Sequence, residues 1–171
     1  LIAGGPGSGK TTQAALLIAH LRREGRQVEL LDGDELRKAL SAYSGVSRED
    51  RDATVRRIGY LARLLSRSGA AVVVSTISRY RAVRDEVRRS IEADGCGFAE
   101  IFMSCPLDVR LKRDPKGLYE RARLGEANHF TGVDDPYEEP PTPDLLIESG
   151  ATPVDEAHCQ VVICLGTLGL L

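Results

Sequence analysis

Gly4-Gly5-Pro6-Gly7-Ser8-Gly9-Lys10-Thr11 is the stretch on which the fold turns. It fits G-x-x-x-x-G-K-[ST], and it has the flanks that give the pattern meaning: the apolar run Leu1–Ala3 before it and residues at helical period after it. Glycines at these positions let the backbone wrap closely, so successive N–H groups converge on phosphate oxygens. The loop feeds a helix beginning near Lys10, whose N-terminal dipole favours anions. The segment from Gly4 to Thr12 therefore reads as an ATP-binding loop. Gly5, Gly7, Ser8, Gly9, Lys10, Thr11 and Thr12 are the candidate nucleotide contacts. Lys10 is expected to reach the β- and γ-phosphates, and the Thr11 hydroxyl to ligate Mg²⁺.

Apolar runs of strand length alternate with helix-period segments on either side of this loop. The strand candidates are Leu1–Ala3, Gln27–Leu31, Ala70–Ser75, Phe98–Met103 and Asp144–Ile147. Ala70–Ser75 is almost continuously apolar, as suits a strand covered on both faces of a parallel sheet. Between them, Val55, Ile58, Leu61, Ala62 and Leu65 recur at helical steps, as do Val83, Val87 and Ile91. Thr152, Pro153 and Asp155 predict a capping box with proline at the first helical position, followed by the stripe Val154, Ala157, Val161 and Leu165. The expectation is an α/β, three-layer P-loop fold: a five-stranded parallel sheet flanked by helices, with right-handed crossovers. Asp114 to Pro143, dense in Gly, Pro and charge, interrupts the alternation and is expected to form a lid rather than a linker.

The length of 171 residues suits a single domain over 1–171. Its opening on Leu1 predicts that the start of the first strand is trimmed, in a chain that is either a trimmed protein or one domain of a larger one. A net charge of −2 gives no support to a nucleic-acid-binding domain, which would be strongly basic. Between Arg48 and Arg89, however, eleven Arg face five acidic residues. Either these are solvated helix faces or a few of them converge on an anionic substrate. The spacing of Cys96, Cys105, Cys159 and Cys164 matches no zinc or redox motif. Cys105, Cys159 and Cys164 lie in apolar runs and read as small core residues in a reduced, cytoplasmic setting. No membrane partner is expected, because no run approaches the ~18 apolar residues of a membrane span.

Kinases, motors and GTPases share the phosphate loop. An N-K-x-D guanine-recognition segment is absent, which removes the GTPase reading. Asp32-Gly33-Asp34 follows the second strand candidate, at the sheet edge where such folds bind ligands. Two carboxylates at this spacing suit an anchor for metal-bound water and a base for a substrate hydroxyl, although the same tripeptide also serves as a plain turn.

The downstream motifs are more specific. Asp32-Gly33-Asp34 with Arg37, then Arg51 and Arg56-Arg57, then Ile77-Ser78 with Tyr80-Arg81, occur in order. They are followed by Arg113-Asp114-Pro115-Lys116-Gly117-Leu118-Tyr119, by Ala122-Arg123 with Gly125-Glu126, and by Phe130-Thr131-Gly132 with Pro136-Tyr137-Glu138 and Pro140. In this order and spacing the chain resembles the adenylyl-sulfate kinase family from the phosphate loop to about Pro143. The resemblance implies phosphorylation of the 3′-hydroxyl of adenylyl sulfate by ATP with Mg²⁺, in sulfate assimilation. It implies catalytic roles for Lys10, Asp32, Asp34 and Ser78, with Thr11 and Asp32 serving the metal. Arg37, Arg51, Thr54, Ile77, Ser78, Lys116, Phe130 and Thr131, with Asp34, would meet the acceptor. Arg113 would lie over the ATP base. It suggests a homodimer and allows an ATP sulfurylase fused upstream or associated.

Departures from the family pattern fall mainly on the acceptor side. Val46 stands where a Phe is usual, Thr54 where an Asn is, Glu35 where an Asn is, and Arg79 where a Pro is. Two alternatives therefore stay open: a P-loop kinase of another small hydroxyl compound, and a nucleotide-binding regulatory domain of a fused sulfurylase.

Overall fold

The computed structural model describes residues 1–39, 47–114, 117 and 137–171. In chain order the elements are β1 (Ile2–Ala3), α1 (Lys10–Arg23), β2 (Val28–Asp32), α2 (Gly33–Ala39), α3 (Arg48–Arg67) and β3 (Ala71–Thr76). They continue as α4 (Arg81–Glu92), β4 (Ile101–Ser104), α5 (Leu107–Arg113), β5 (Leu145–Glu148) and α6 (Val154–Thr167). The strands form one parallel sheet in the order β2-β3-β1-β4-β5. From the central β1 the chain crosses to the edge strand β2, returns to β3 beside β1, then crosses to β4 and β5 on the other side. The loop after β1 thus leaves the sheet where the winding changes direction, which is where such sheets hold ligands.

Alternation along the strands fills two cores. Val73 packs with Ala14, Leu17 and Ile18 of α1 and Val161 and Leu165 of α6, whereas its neighbour Val74 packs with Ile58 and Ala62 of α3 and Ile91 of α4. These are the outer layers of the expected three-layer fold. Successive side chains of a strand point to opposite faces, so one apolar run serves both. Helix α1 ends on Gly25 (φ +74°), with Gly25 N–H donating to Arg22 O and Arg26 N–H to Leu21 O. That double closure requires a left-handed residue and turns the chain into β2.

Several expected boundaries shift. Strand β4 begins at Ile101 rather than Phe98, with Glu100 N–H donating instead to the Asp144 carboxylate. The box expected at Thr152 does not form. Pro153 is extended (ψ 148°) and its carbonyl accepts from Ala157, which makes Pro153 the N-cap and leaves Thr152 one residue too early. Val154 is 51% exposed, off the buried stripe of Ala157, Val161 and Leu165. The box that does form lies at α3, where the Ser47 hydroxyl accepts from Asp50 N–H and the Asp50 carboxylate accepts from Ser47 N–H. Cys159 is exposed and Cys105 and Cys164 are only half-buried, so none is the core residue its apolar neighbours suggested. Most of the expected lid lies outside the described residues. No helix among the described residues is long and apolar enough to cross a membrane.

Helices α3 and α4 touch at Gly59, where an added Cβ would stand 2.5 Å from Val87 Cγ2. In an open helix Gly→Ala gains about 1 kcal/mol. Here the stiff, β-branched Val87 must move, and overpacking costs about 1–3 kcal/mol. Gly59→Ala is therefore expected to lower Tm by several degrees, by about 2–4 °C for each net kcal/mol in a domain of this size. A rise in Tm would show that α3 and α4 are not packed this closely.

Candidate active site

Four features hold the phosphate loop in shape. Gly9 caps α1 in the left-handed region (φ +90°), so the first helical N–H groups face back over the loop. Gly4 passes so near β4 that a Cβ would lie 2.6 Å from Met103 O. The Lys10 ammonium folds across the loop and donates to Gly5 O at 2.7 Å. The Gln13 side chain, 2% exposed, donates to Val154 O at 2.9 Å and so ties the loop's helix to the start of α6. The Ser8 hydroxyl is buried with no hydrogen-bond partner among the described residues.

A cavity of about 680 Å³ opens over this loop at the C-terminal ends of the strands. Its floor is the loop itself, with Lys10, Thr11 and Thr12. One arm extends over β2 and β3, walled by Asp32, Asp34, Arg37, Thr76 and Ile77. The other extends over β4 and β5, walled by Met103, Arg113, Ser149, Thr152 and Val154. The volume lies within the range of small-molecule sites.

The carboxylates of the first arm differ in position. Asp32 closes β2, and its Oδ1 accepts from Asp34 N–H at 2.9 Å and Glu35 N–H at 3.2 Å. It thereby caps α2 and keeps its second oxygen for other work. Asp34, in the first turn of α2, is exposed on the cavity wall. Arg37 follows at three residues, so it lies over the same face of the helix, and it also lines the cavity. In the second arm, Arg113 ends α5 and donates to Ser149 O at 2.8 Å, which fixes the guanidinium at the rim.

Gly7, Ser8, Gly9, Lys10, Thr11, Thr12, Asp32, Asp34, Arg37, Ile77 and Arg113 thus meet around one cavity. Gly5 joins them through the Lys10 bond. Three residues do not. Ser78 is 3% exposed, with backbone φ +43° and a hydroxyl lacking a hydrogen-bond partner among the described residues; it lies behind the wall that Ile77 forms. Thr54 is buried, and its hydroxyl donates to Asp50 O at 2.9 Å along its own helix. Arg51, in the first turn of α3, is half-buried and not among the cavity's walls. Lys116, Phe130, Thr131 and Val46 lie outside the described residues.

Sequence reasoning missed the support behind the first arm. Arg84, 1% exposed, donates to Glu100 Oε1 at 2.7 Å and to three carbonyls: Ser78 and Arg79 (2.7 and 3.1 Å) and Glu138 (2.7 Å). It also stands over the Tyr137 ring, which stacks on Phe102. Burial pushes the Tyr137 phenol well above its ordinary range. The network runs on to Arg88, which donates to Asp144 at 2.6 Å. Burial works against the Asp144 charge, but the hydrogen bonds from Arg88 and Glu100 N–H outweigh it and hold that carboxyl below its usual range. A faint signal existed: Arg84 interrupts an apolar helix stripe, and Glu100 interrupts an apolar strand run.

Comparison with known proteins identifies relatives of this chain. The family model for adenylylsulphate kinase matches residues 1–148. An adenylyl-sulfate kinase of Myxococcus xanthus is 47% identical over 170 residues, covering 99% of this chain and 91% of that protein. A probable bifunctional SAT/APS kinase of Sorangium cellulosum is 47% identical over 163 residues, 95% of this chain but only 27% of that longer protein. Among solved structures, the Mycobacterium tuberculosis APS kinase in complex with AMPPNP and APS superimposes with a TM-score of 0.91 at 39% identity, covering 96% and 95% of the two chains.

Proposed function

This chain belongs to the adenylylsulphate kinase family, and from that membership and its two-armed cavity we infer the reaction: it transfers the γ-phosphoryl group of ATP to the 3′-hydroxyl of adenylyl sulfate. The observation that carries the reading is the cavity spanning the phosphate loop, with a carboxylate arm on one side and an arm beyond Met103 on the other. A kinase needs that arrangement, because donor and acceptor must approach the transferred group from opposite directions, roughly in line.

The loop amides and Lys10 neutralise the triphosphate, and the arm holding Arg113, Ser149 and Thr152 takes the nucleoside. The acceptor enters the other arm with its phosphosulfate towards Arg37 and its 3′-hydroxyl towards Asp34. The hydroxyl oxygen bonds to the γ-phosphorus as the bond from that phosphorus to the β–γ bridging oxygen breaks. The hydroxyl proton passes to the Asp34 carboxylate, and ADP leaves. Asp32 keeps α2, and with it Asp34, at the required height. The ammonium and loop dipoles are in place before charge moves, which is where catalysis by electrostatics gains most. Ser78 enters as a loop residue rather than a nucleophile, because in-line transfer requires no covalent serine step.

Thr11 and Asp32 suit magnesium: a hydroxyl and the uncommitted oxygen of a carboxylate are hard donors facing the same cavity. Bound there, the ion would offset the developing charge on the phosphoryl oxygens.

Purified protein with ATP, Mg²⁺ and adenylyl sulfate is expected to form ADP and 3′-phosphoadenylyl sulfate in equal amounts. ATP binding with no turnover of this acceptor, or turnover only of a different alcohol, would overturn the assignment. The bifunctional relative also supports a fused or associated sulfurylase as partner. A homodimer completes the proposal, and sedimentation of the protein tests it.

A further inference from the structure

We propose that Arg84 is a positioning residue for the acceptor: it holds the β3–α4 loop, and with it the Ile77 wall of the cavity, in register with the chain returning at Tyr137–Glu138. The proposal rests on the assigned reaction for its substrate and on geometry for the rest. Ile77 lines the acceptor arm, and the next residue, Ser78, is held at φ +43°, a conformation a serine adopts only when its surroundings impose it. What surrounds it is Arg84. One guanidinium nitrogen donates to both Ser78 O and Arg79 O, the second donates to Glu138 O, and Nε donates to Glu100 just before β4. The same two segments meet twice more: Glu138 N–H donates to Arg79 O at 3.1 Å, and the Glu138 carboxylate accepts from Arg81 N–H at 2.8 Å.

Only a planar, forked cation can serve all these acceptors at once, because its donors diverge in fixed directions while lysine's leave a single atom. The side chain is 1% exposed, so no water stands ready to replace a lost donor. Arg84 sits behind the cavity and is not among its walls, so it acts through Ile77 and Ser78 rather than on substrate. A shift of the wall by a fraction of an ångström would misplace the acceptor hydroxyl and leave the donor arm, on the far side of the phosphate loop, unchanged.

The asymmetry makes the test. Arg84→Lys retains a charge for Glu100 and loses the fork. It is expected to raise KM for adenylyl sulfate roughly ten- to a hundredfold, with KM for ATP within about twofold. Amide exchange at Ser78–Tyr80, measured without substrate, is expected to quicken. A purely structural role would lower Tm and active fraction and leave the acceptor KM alone. The paired variant Arg84→Met with Glu100→Gln removes both members of the buried pair together, so it guards against a lysine variant that does not fold. It is expected to show the same acceptor-selective rise. An acceptor KM within about twofold of wild type in a folded variant, or unaltered exchange at Ser78–Tyr80, overturns the proposal. If the unaltered protein does not turn over adenylyl sulfate, the assigned reaction fails, and the exchange measurement alone decides the role of Arg84.

Discussion

Lys10→Ala is expected to lower kcat/KM by about 10³-fold, the scale on which removing a preorganised charge from a phosphoryl-transfer site acts. At about 1.36 kcal/mol for each factor of ten, that is about 4 kcal/mol of transition-state stabilisation. The ammonium is tethered to the loop it serves, donating to Gly5 O at 2.7 Å, so only a short swing separates that carbonyl from phosphates seated on the loop. The fold should survive its loss. The loop keeps its left-handed cap at Gly9, its Ser8 N–H bond to Gly5 O and the Gln13 tether to α6. Lys10 is half-exposed, and losing its bond to Gly5 O costs about 1 kcal/mol, which moves Tm by only a few degrees. Lys10→Arg should recover little, because the fork is larger and directional where the loop accommodates a compact charge. The measurement is steady-state kinetics beside thermal unfolding. Activity within about tenfold of wild type in Lys10→Ala would mean that the loop amides and metal carry the charge unaided.

That the loop could be read at all from eight letters has a physical cause. Its chemistry is made by consecutive backbone N–H groups, so everything it needs is local in the chain. The alternating strands were legible for the same reason, since a doubly covered strand must be apolar throughout, as Ala71–Thr76 nearly is. Pairs that meet through space left much less trace. Arg84 and Glu100 are sixteen residues apart, and each alone looks like a surface charge misplaced in an apolar run. Thr54 was legible as a position but not as a contact, because whether a hydroxyl faces a cavity or its own helix depends on rotamer. The capping boxes show the limits of pattern. Ser47-Arg48-Glu49-Asp50 and Thr152-Pro153-Val154-Asp155 look alike, and the second fails because the extended Pro153 takes the cap position itself.

Asp34→Asn is expected to lower kcat about 10²–10⁴-fold, the contribution of a positioned general base, while KM for ATP stays within about twofold. The substitution preserves size and leaves the Asp34 backbone N–H on Asp32 Oδ1, so the cap of α2 stays intact. It removes a negative charge from the first turn of a helix, a loss of about 0.3–1 kcal/mol at an exposed position. Thermal unfolding measured beside the kinetics makes the separation: a large fall in rate with little change in Tm cannot be assigned to unfolding. The companion carboxylate provides the contrast. Asp32→Asn replaces an anionic acceptor that caps two N–H groups, so it should lower Tm as well as rate, whereas Asp34→Asn should lower rate alone. The shape of the pH profile separates the base from a mere binding carboxylate. If Asp34 accepts the hydroxyl proton, the acid limb of the kcat profile vanishes in Asp34→Asn, leaving a low and flat rate. If Asp34 only orients the hydroxyl, the limb persists at reduced height and the loss falls in the acceptor KM. Retention of most of kcat in Asp34→Asn would move the proton to another acceptor and leave Asp34 as a wall of the cavity.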